Sequence, residues 1–254
     1  MAFATLSVST DGPVTVIALN RPEKANTLST RMLIELVDVQ VMIAADPSVR
    51  AVVVTGAGRH FCGGADLADD EPLPAGVRIG FERLPQPVIA AVNGGAVGGG
   101  CELALACDYR IVAEDGFFSL PETQFGELPF GGGTTRLPRL VGPSLAKRLI
   151  WTGERVHAER AVQIGLADEV SPSAGVLSAA KELGRVISER PAYAIHAVKF
   201  LIDRGAESPL ETALQVEKTV AATMATPAQR EEARRQAAAR NPVYARIFGY
   251  EEVS

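Results

Sequence analysis

Histidine, cysteine and tryptophan are scarce in this 254-residue sequence, which has three, three and one of them. Cys62, Cys101 and Cys107 sit in apolar or glycine-rich text without framework spacing, which speaks against a disulfide scaffold and for a reducing compartment. His60, His157 and His196 are scattered, and no His, Cys and acid group together at ligand spacing, so no metal site is expected. His157 and His196 lie in helical text and read as surface or packing residues, whereas His60 precedes a glycine turn from which it can approach a phosphate. A basic excess is also missing: the net charge of −5 argues against nucleic-acid and anionic-membrane partners. No apolar run is long enough to span a bilayer, because five glycines, Asn93 and Glu102 interrupt the best candidate, 88–108. The start, MAFATLSVSTDG, has neither a basic region nor a long apolar one, so no signal peptide is expected and the cytosol is the expected compartment. No GxGxxG falls in register, and GxxxxGK[ST], GxSxG and HExxH are absent.

What is present centres on Val88 to Asp108, VIAAVNGGAVGGGCELALACD. It reads as an apolar β-branched run, a glycine-rich turn from Gly94 to Gly100 and a short helix with Glu102 in its first turn. N–H groups at a helix start have no partner within the helix, and the peptide dipoles favour negative charge there. Glycines at 98–100 let a ligand reach that backbone. A buried helix packed on a sheet accounts for the same text.

Around this stretch the pattern is α/β. A hairpin is expected from Thr5–Ser9 and Val14–Leu19 across Asp11-Gly12-Pro13. Ser29 or Thr30 can cap a helix with an apolar face of Leu33, Leu36, Val37, Val41 and Ala44. Arg50–Thr55 looks like a strand covered on both faces, running into Gly56-Ala57-Gly58 and FCGGAD. A helix over 75–84 and a mobile flap over the acidic, proline-containing 66–86 are expected. A second glycine-rich turn, 126–133, leads into helical text through Trp151. From Ala174 onward the chain is almost all helical, with a subdomain boundary expected near 190–205: a core over 1–195 and a helical region over 196–254.

FCGGAD and GGAVGGGCE each follow a buried strand and enter a helix, so both offer N–H groups at neighbouring strand ends. Two converging N–H donors form an oxyanion hole, and the candidates are Ala65 and Gly99. Losing one such donor typically lowers a rate by about 10²–10³. Two carboxylates lie just after structural breaks, Glu102 and Glu122. In an apolar site one can act as base and the other as acid, although each alone also reads as a helix-start or solvated charge.

The series NRPEKANTLS, VVVTGAGRHFCGGADL, PVIAAVNGGAVGGGCELALACD and FSLPETQFGELPFGGGTTRLPRLVG resembles the enoyl-CoA hydratase/isomerase (crotonase) family, strongly over about 5–200 and weakly in the tail. The resemblance implies a crotonase-like spiral of ββα units, a C-terminal helical trimerisation region, and homotrimers or homohexamers. It implies an acyl-CoA substrate, as in fatty acid metabolism, whose thioester oxygen is held by the N–H groups of Ala65 and Gly99. Glu102 and Glu122 match the acid/base pair of the hydratases. Lys24, Ala25, Gly63, Asp66 and Leu67 fall where the family binds the adenine and phosphates of CoA. No cofactor is implied beyond the CoA of the substrate. Isomerases commonly keep one acid of the pair, so both together favour water addition to a 2-enoyl-CoA. A Δ3,Δ2-enoyl-CoA isomerase, another enolate-forming acyl-CoA enzyme and a non-catalytic acyl-CoA binding protein are the alternatives. Three features depart from the pattern: a short 66–87 segment, an extra carboxylate at Glu127 that reads as solvated or as serving an isomerase or hydrolase variant of the chemistry, and Gln236 and Ala239 where the family tail often has CoA-touching residues. Arg235 or Arg240 can take over that contact.

Overall fold

Strands β1 (Leu6–Asp11) and β2 (Val14–Leu19) form the antiparallel hairpin expected around Gly12, and every later strand of the same sheet joins in parallel. The computed structural model describes residues 3–69, 71, 80, 81 and 83–250. Most of the helix expected over 75–84 and a large part of the expected flap fall outside those residues.

The elements that follow are α1 (Thr30–Ala45), β3 (Ala51–Gly56), β4 (Val88–Val92), β5 (Gly95–Val97), α2 (Gly99–Leu105), β6 (Tyr109–Ala113) and β7 (Phe117–Ser119). Then come α3 (Gly133–Val141), α4 (Pro143–Thr152), β8 (Val156–His157), α5 (Ala158–Gln163), β9 (Glu169–Ser171) and α6 (Val176–Ser188). The large sheet runs β1-β2-β3-β4-β6-β9, and a second sheet runs β5-β7-β8. Bridges Leu28↔Ala65 and Cys62↔Ala96 extend the second stack. Each pass of the chain thus lays one strand in the large sheet, crosses to the smaller stack and returns, which is a spiral.

β3 is buried along its whole length, as its unbroken apolar run requires. Val52 and Val54 face a core with Leu36, Val39 and Ile43 of α1, whereas Ala51 and Val53 face Val176 and Ala180 of α6. Helix α6 lies so close that a Cβ on Gly184 would stand 3.0 Å from a Val14 methyl.

Three local expectations are corrected. Ser29 does cap α1, accepting from the Met32 N–H at 3.2 Å, but the buried face is Met32, Glu35, Leu36, Val39 and Ile43, with Val41 66 % exposed. The face is turned because Glu35 is an interior acceptor for the Ala4 N–H, the Thr5 N–H, the Thr5 hydroxyl and Arg31 at 2.6–2.9 Å. Burial alone would raise its pKa; the Thr5 hydroxyl, the two N–H groups and Arg31 overcome that and hold it at about 2. Gly94–Gly100 is not one turn, since Gly95–Val97 is β5, paired with β7. His157 lies in strand β8 rather than in helical text, packed against the Phe117 ring at 5.9 Å between centroids.

Contacts divide the chain into units 1–188 and 189–254. The second contains α7 (Ala192–Gly205), α8 (Leu210–Thr223), α9 (Pro227–Arg240) and α10 (Pro242–Phe248). Residue 195, after which the helical region is expected to begin, lies inside α7, and α10 has no counterpart in the sequence reading. Thr226 and Gln229 form a capping box on α9, and Arg240 donates to the Glu189 carbonyl. Val198, Ile202, Leu210 and Ile247 are more than half exposed. Among the described residues no helix is long and apolar enough to cross a membrane.

Candidate active site

Two loops at neighbouring strand ends build the site, and two asparagines tie them down. Asn26, fully buried at φ 56°, donates to the carbonyls of Ala57 and His60 at 2.9 and 2.8 Å and accepts from the Arg21 N–H. Asn93 accepts from the Gly56 N–H at 3.0 Å and donates to the Gly58 carbonyl at 2.9 Å. Gly56 has no alternative there, because a Cβ would fall 2.0 Å from the His60 oxygen.

Beyond this knot the backbone of 63–66 runs beside 25–28. The Gly63 N–H donates to Ala25, the Leu28 N–H to Gly64 and the Asp66 N–H to Leu28, at 2.7–3.0 Å. The Ala65 N–H, between two engaged neighbours of that bridge, has no acceptor among the described residues. In the next turn the Val97 N–H donates to Cys62 and the Gly98 N–H to Ser119. The Gly99 N–H opens α2 and has no acceptor among the described residues either. Helix α2 has only seven residues, so these local N–H groups, rather than a long summed dipole, supply the positive potential.

The two turns touch. A Cβ on Gly64 would lie 3.0 Å from the Val97 oxygen and 3.8 Å from the Gly98 Cα. A Cβ on Gly98 would lie 3.8 Å from the Gly64 Cα and 3.1 Å from Oε1 of Glu122. Gly98 has φ 53° and ψ −125°, a backbone shape that a side chain strains.

Both expected acids are here. Glu102, 3 % exposed, accepts the Gly133 N–H on Oε1 at 2.8 Å. Burial raises its pKa, the Gly133 and Gly131 N–H groups oppose that, the charge of Glu122 adds to it, and the net result is about 7. Glu122, in the turn Glu122–Phe125, has its Oε2 buried without a hydrogen-bond partner among the described residues, and burial raises its pKa. Glu127 is exposed, as its reading as a solvated charge requires. The buried thiols are no rival nucleophiles: burial pushes Cys62 up to about 12 and Cys101 higher still above the ordinary value.

The five residues expected to meet CoA form a rim of their own. Ala25 and Gly63 are bonded to each other, and Asp66 is paired with Arg21 at 2.7 Å, which holds its carboxyl below the usual range. Lys24 is exposed, and Leu67 is 91 % exposed. Sequence reasoning missed Arg21, Asn26 and Asn93 as the residues that shape these loops. Only Asn26 carried a signal, a small polar residue closing a loop that has no glycine to take the positive φ.

The raised pKa of Glu102 has a consequence for stability. A carboxyl whose folded pKa lies above its unfolded value of 4.5 stabilises the fold fully below that value, and the contribution is lost as pH rises through about 7. Glu102→Gln keeps an acceptor for Gly133 and removes the charge. It is expected to match wild type near pH 4.5 and to be more stable by up to about 3 kcal/mol at pH 9. Urea unfolding at both pH values checks this, and equal stability at pH 9 contradicts the assigned environment.

The enoyl-CoA hydratase/isomerase family model matches residues 9–75 and 77–245. A short-chain-enoyl-CoA hydratase of Clostridium acetobutylicum is 38 % identical over 229 residues, covering 85 % of this chain and 88 % of the relative. The 2,3-dehydroadipyl-CoA hydratase of Escherichia coli is 36 % identical over 239 residues, covering 91 % and 94 %. An enoyl-CoA hydratase from Bacillus anthracis, solved by crystallography, matches with a TM-score of 0.82 at 38 % identity over 90 % of this chain and 94 % of that one. With the spiral, the paired glycine turns and both glutamates in place, the chain belongs to the enoyl-CoA hydratase/isomerase family and has its crotonase fold.

Proposed function

We propose that the protein is a cytosolic enoyl-CoA hydratase that adds water across the 2,3 double bond of a 2-enoyl-CoA thioester. The observation that carries the reading is the second acid: a buried Glu122 oxygen without a hydrogen-bond partner among the described residues, beside the turn that starts the Glu102 helix. Moving a double bond shuttles one proton and needs one acid/base group. Adding water needs one group to activate water and another to deliver a proton.

In this scheme the thioester oxygen sits against the Ala65 and Gly99 N–H groups. Glu102, anchored by Gly133, takes a proton from water as its oxygen bonds to C3, and the π electrons move to give an enolate at the thioester oxygen. Glu122 gives its proton to C2, the enolate collapses to the 3-hydroxyacyl thioester, and the proton held by Glu102 returns to Glu122 before the next turnover. Burial raises the pKa of both carboxyls, Glu102 to about 7, which suits groups that must take and give protons in one cycle. The scheme uses no cofactor beyond the CoA of the substrate.

Lys24, Ala25, Gly63, Asp66 and Leu67 are proposed to meet the adenine and phosphates. Lys24 offers its charge, and the Arg21–Asp66 pair and the Gly63–Ala25 hydrogen bond keep the rim in shape. The exposed apolar residues of α7, α8 and α10 support assembly as a homotrimer or homohexamer. The two hydratase relatives act, by their names, on different acyl groups at nearly equal identity, so chain length is left to the assay.

The test is loss of the conjugated-thioester absorbance when crotonyl-CoA is added, run beside longer 2-enoyl-CoA and 3-enoyl-CoA substrates. Faster turnover of the 3-enoyl substrate replaces the hydratase with an isomerase. Tight binding without turnover across the panel replaces both with an acyl-CoA binding protein.

A further inference from the structure

The Gly131–Gly133 loop, which holds Glu102, is itself held from one side by an arginine. Arg136, in the first turn of α3, folds back so that its Nη1 donates to the Gly131 carbonyl at 2.8 Å. The main-chain N–H of residue 136 donates to the Gly132 carbonyl at 2.7 Å, an ordinary first-turn helix bond that does not depend on the side chain. The guanidinium occupies the space a side chain on Gly132 would need: a Cβ there would stand 1.8 Å from Nη1, and Gly132 has φ 118°. The next N–H along, that of Gly133, is the one that grips Oε1 of Glu102.

We propose that Arg136 is a positioning residue, whose guanidinium, by clamping the Gly131 carbonyl, fixes the loop so that the Gly133 N–H points at the Glu102 carboxylate. It touches neither substrate nor reacting atoms in this scheme; it acts through the loop. The side chain is half-buried, and that burial lowers the pKa of its guanidinium. With the clamp gone, the N–H that favours ionised Glu102 is no longer fixed. The charge that acts on Glu102 is that of the Glu122 carboxyl, which the substitution leaves in place.

The activity arm of the test rests on the reading of Glu102 as an acid/base group; the titration arm does not. Glu102 is titrated by the infrared C=O band of its protonated carboxyl, assigned by its loss in Glu102→Gln, in wild type, Arg136→Met and Arg136→Lys. The midpoint is expected to rise by about one pH unit in Arg136→Met, with a smaller rise in Arg136→Lys, which keeps the charge and one donor. In hydration assays the inflection of kcat/KM is expected to move with it, with kcat about 10- to 100-fold lower and KM nearly unchanged. An unshifted Glu102 band in folded Arg136→Met overturns the proposal, as does an unshifted band in Arg136→Lys should the Met variant not fold. Full activity in Glu102→Gln defeats the functional reading instead, and the titration still decides the role of Arg136.

Discussion

Glu102→Gln and Glu122→Gln are each expected to lower kcat for hydration of crotonyl-CoA by about 10³–10⁴, with KM moving by less than a few-fold. Both side chains keep their size, and the amide oxygen introduced by Glu102→Gln can still accept the Gly133 N–H, so the loop stays in place and only proton chemistry is lost. The double variant is expected to be scarcely slower than the slower single one, because two groups that move protons in one reaction fail as a unit. Steady-state assays of the three variants, with cooperative unfolding as a check on folding, measure this. Near-wild-type rates in both singles refute the acid and base assignment; a large loss in one alone points to chemistry that uses a single carboxylate.

The second large effect concerns the backbone. Gly98→Ala is expected to lower kcat by about 10²–10³ while the protein still folds. The new methyl would stand 3.1 Å from Glu122 Oε1 and 3.8 Å from the Gly64 Cα, tight against the carboxylate and in ordinary contact with the facing turn. The strained φ adds about 1–3 kcal/mol against folding. Moving the Gly98–Gly99 peptide also turns the Gly99 N–H from its aim, so both halves of the site are disturbed by one methyl. Gly12→Ala separates strain from chemistry: its φ of 58° also disfavours a side chain, with nothing within 4 Å of the new Cβ and the hairpin far along the chain from the site. It is expected to lose stability and keep its rate. Equal rates in Gly98→Ala and wild type contradict the placement of the Gly99 N–H in the reaction.

The parts of this molecule that can be read from the sequence are those written in local text. Val52–Val54 announces a strand covered on both sides, and Ser29 announces a cap, because burial and capping leave their mark within a few residues. The glycine turns and the positions of Glu102 and Glu122 after structural breaks are legible for the same reason. What stays hidden depends on partners far along the chain. Glu35 is inward because Ala4 and Thr5 arrive to donate to it, which helical periodicity cannot show. Strand β5 exists because β7 comes alongside from a later part of the chain, so GGAV looks like a turn when read alone. Asn93 is an ordinary polar letter until loop 57–60 comes beside it, and Asn26 hints at a positive φ but not at the distant carbonyls it meets. Arg136 reads as one more cation on a helix, and only the missing Cβ of Gly132 gives it room to turn back.

The central claim, two main-chain amides from separate turns polarising one thioester oxygen, is met most directly by isotope-edited infrared spectroscopy of a saturated acyl-CoA labelled with ¹³C at the thioester carbonyl. Such a ligand binds but has no double bond to hydrate. Bound to the protein, its carbonyl stretch is predicted to fall well below its frequency in water, and to recover most of that fall in Gly98→Ala. A bound carbonyl that absorbs at its aqueous frequency would contradict the account.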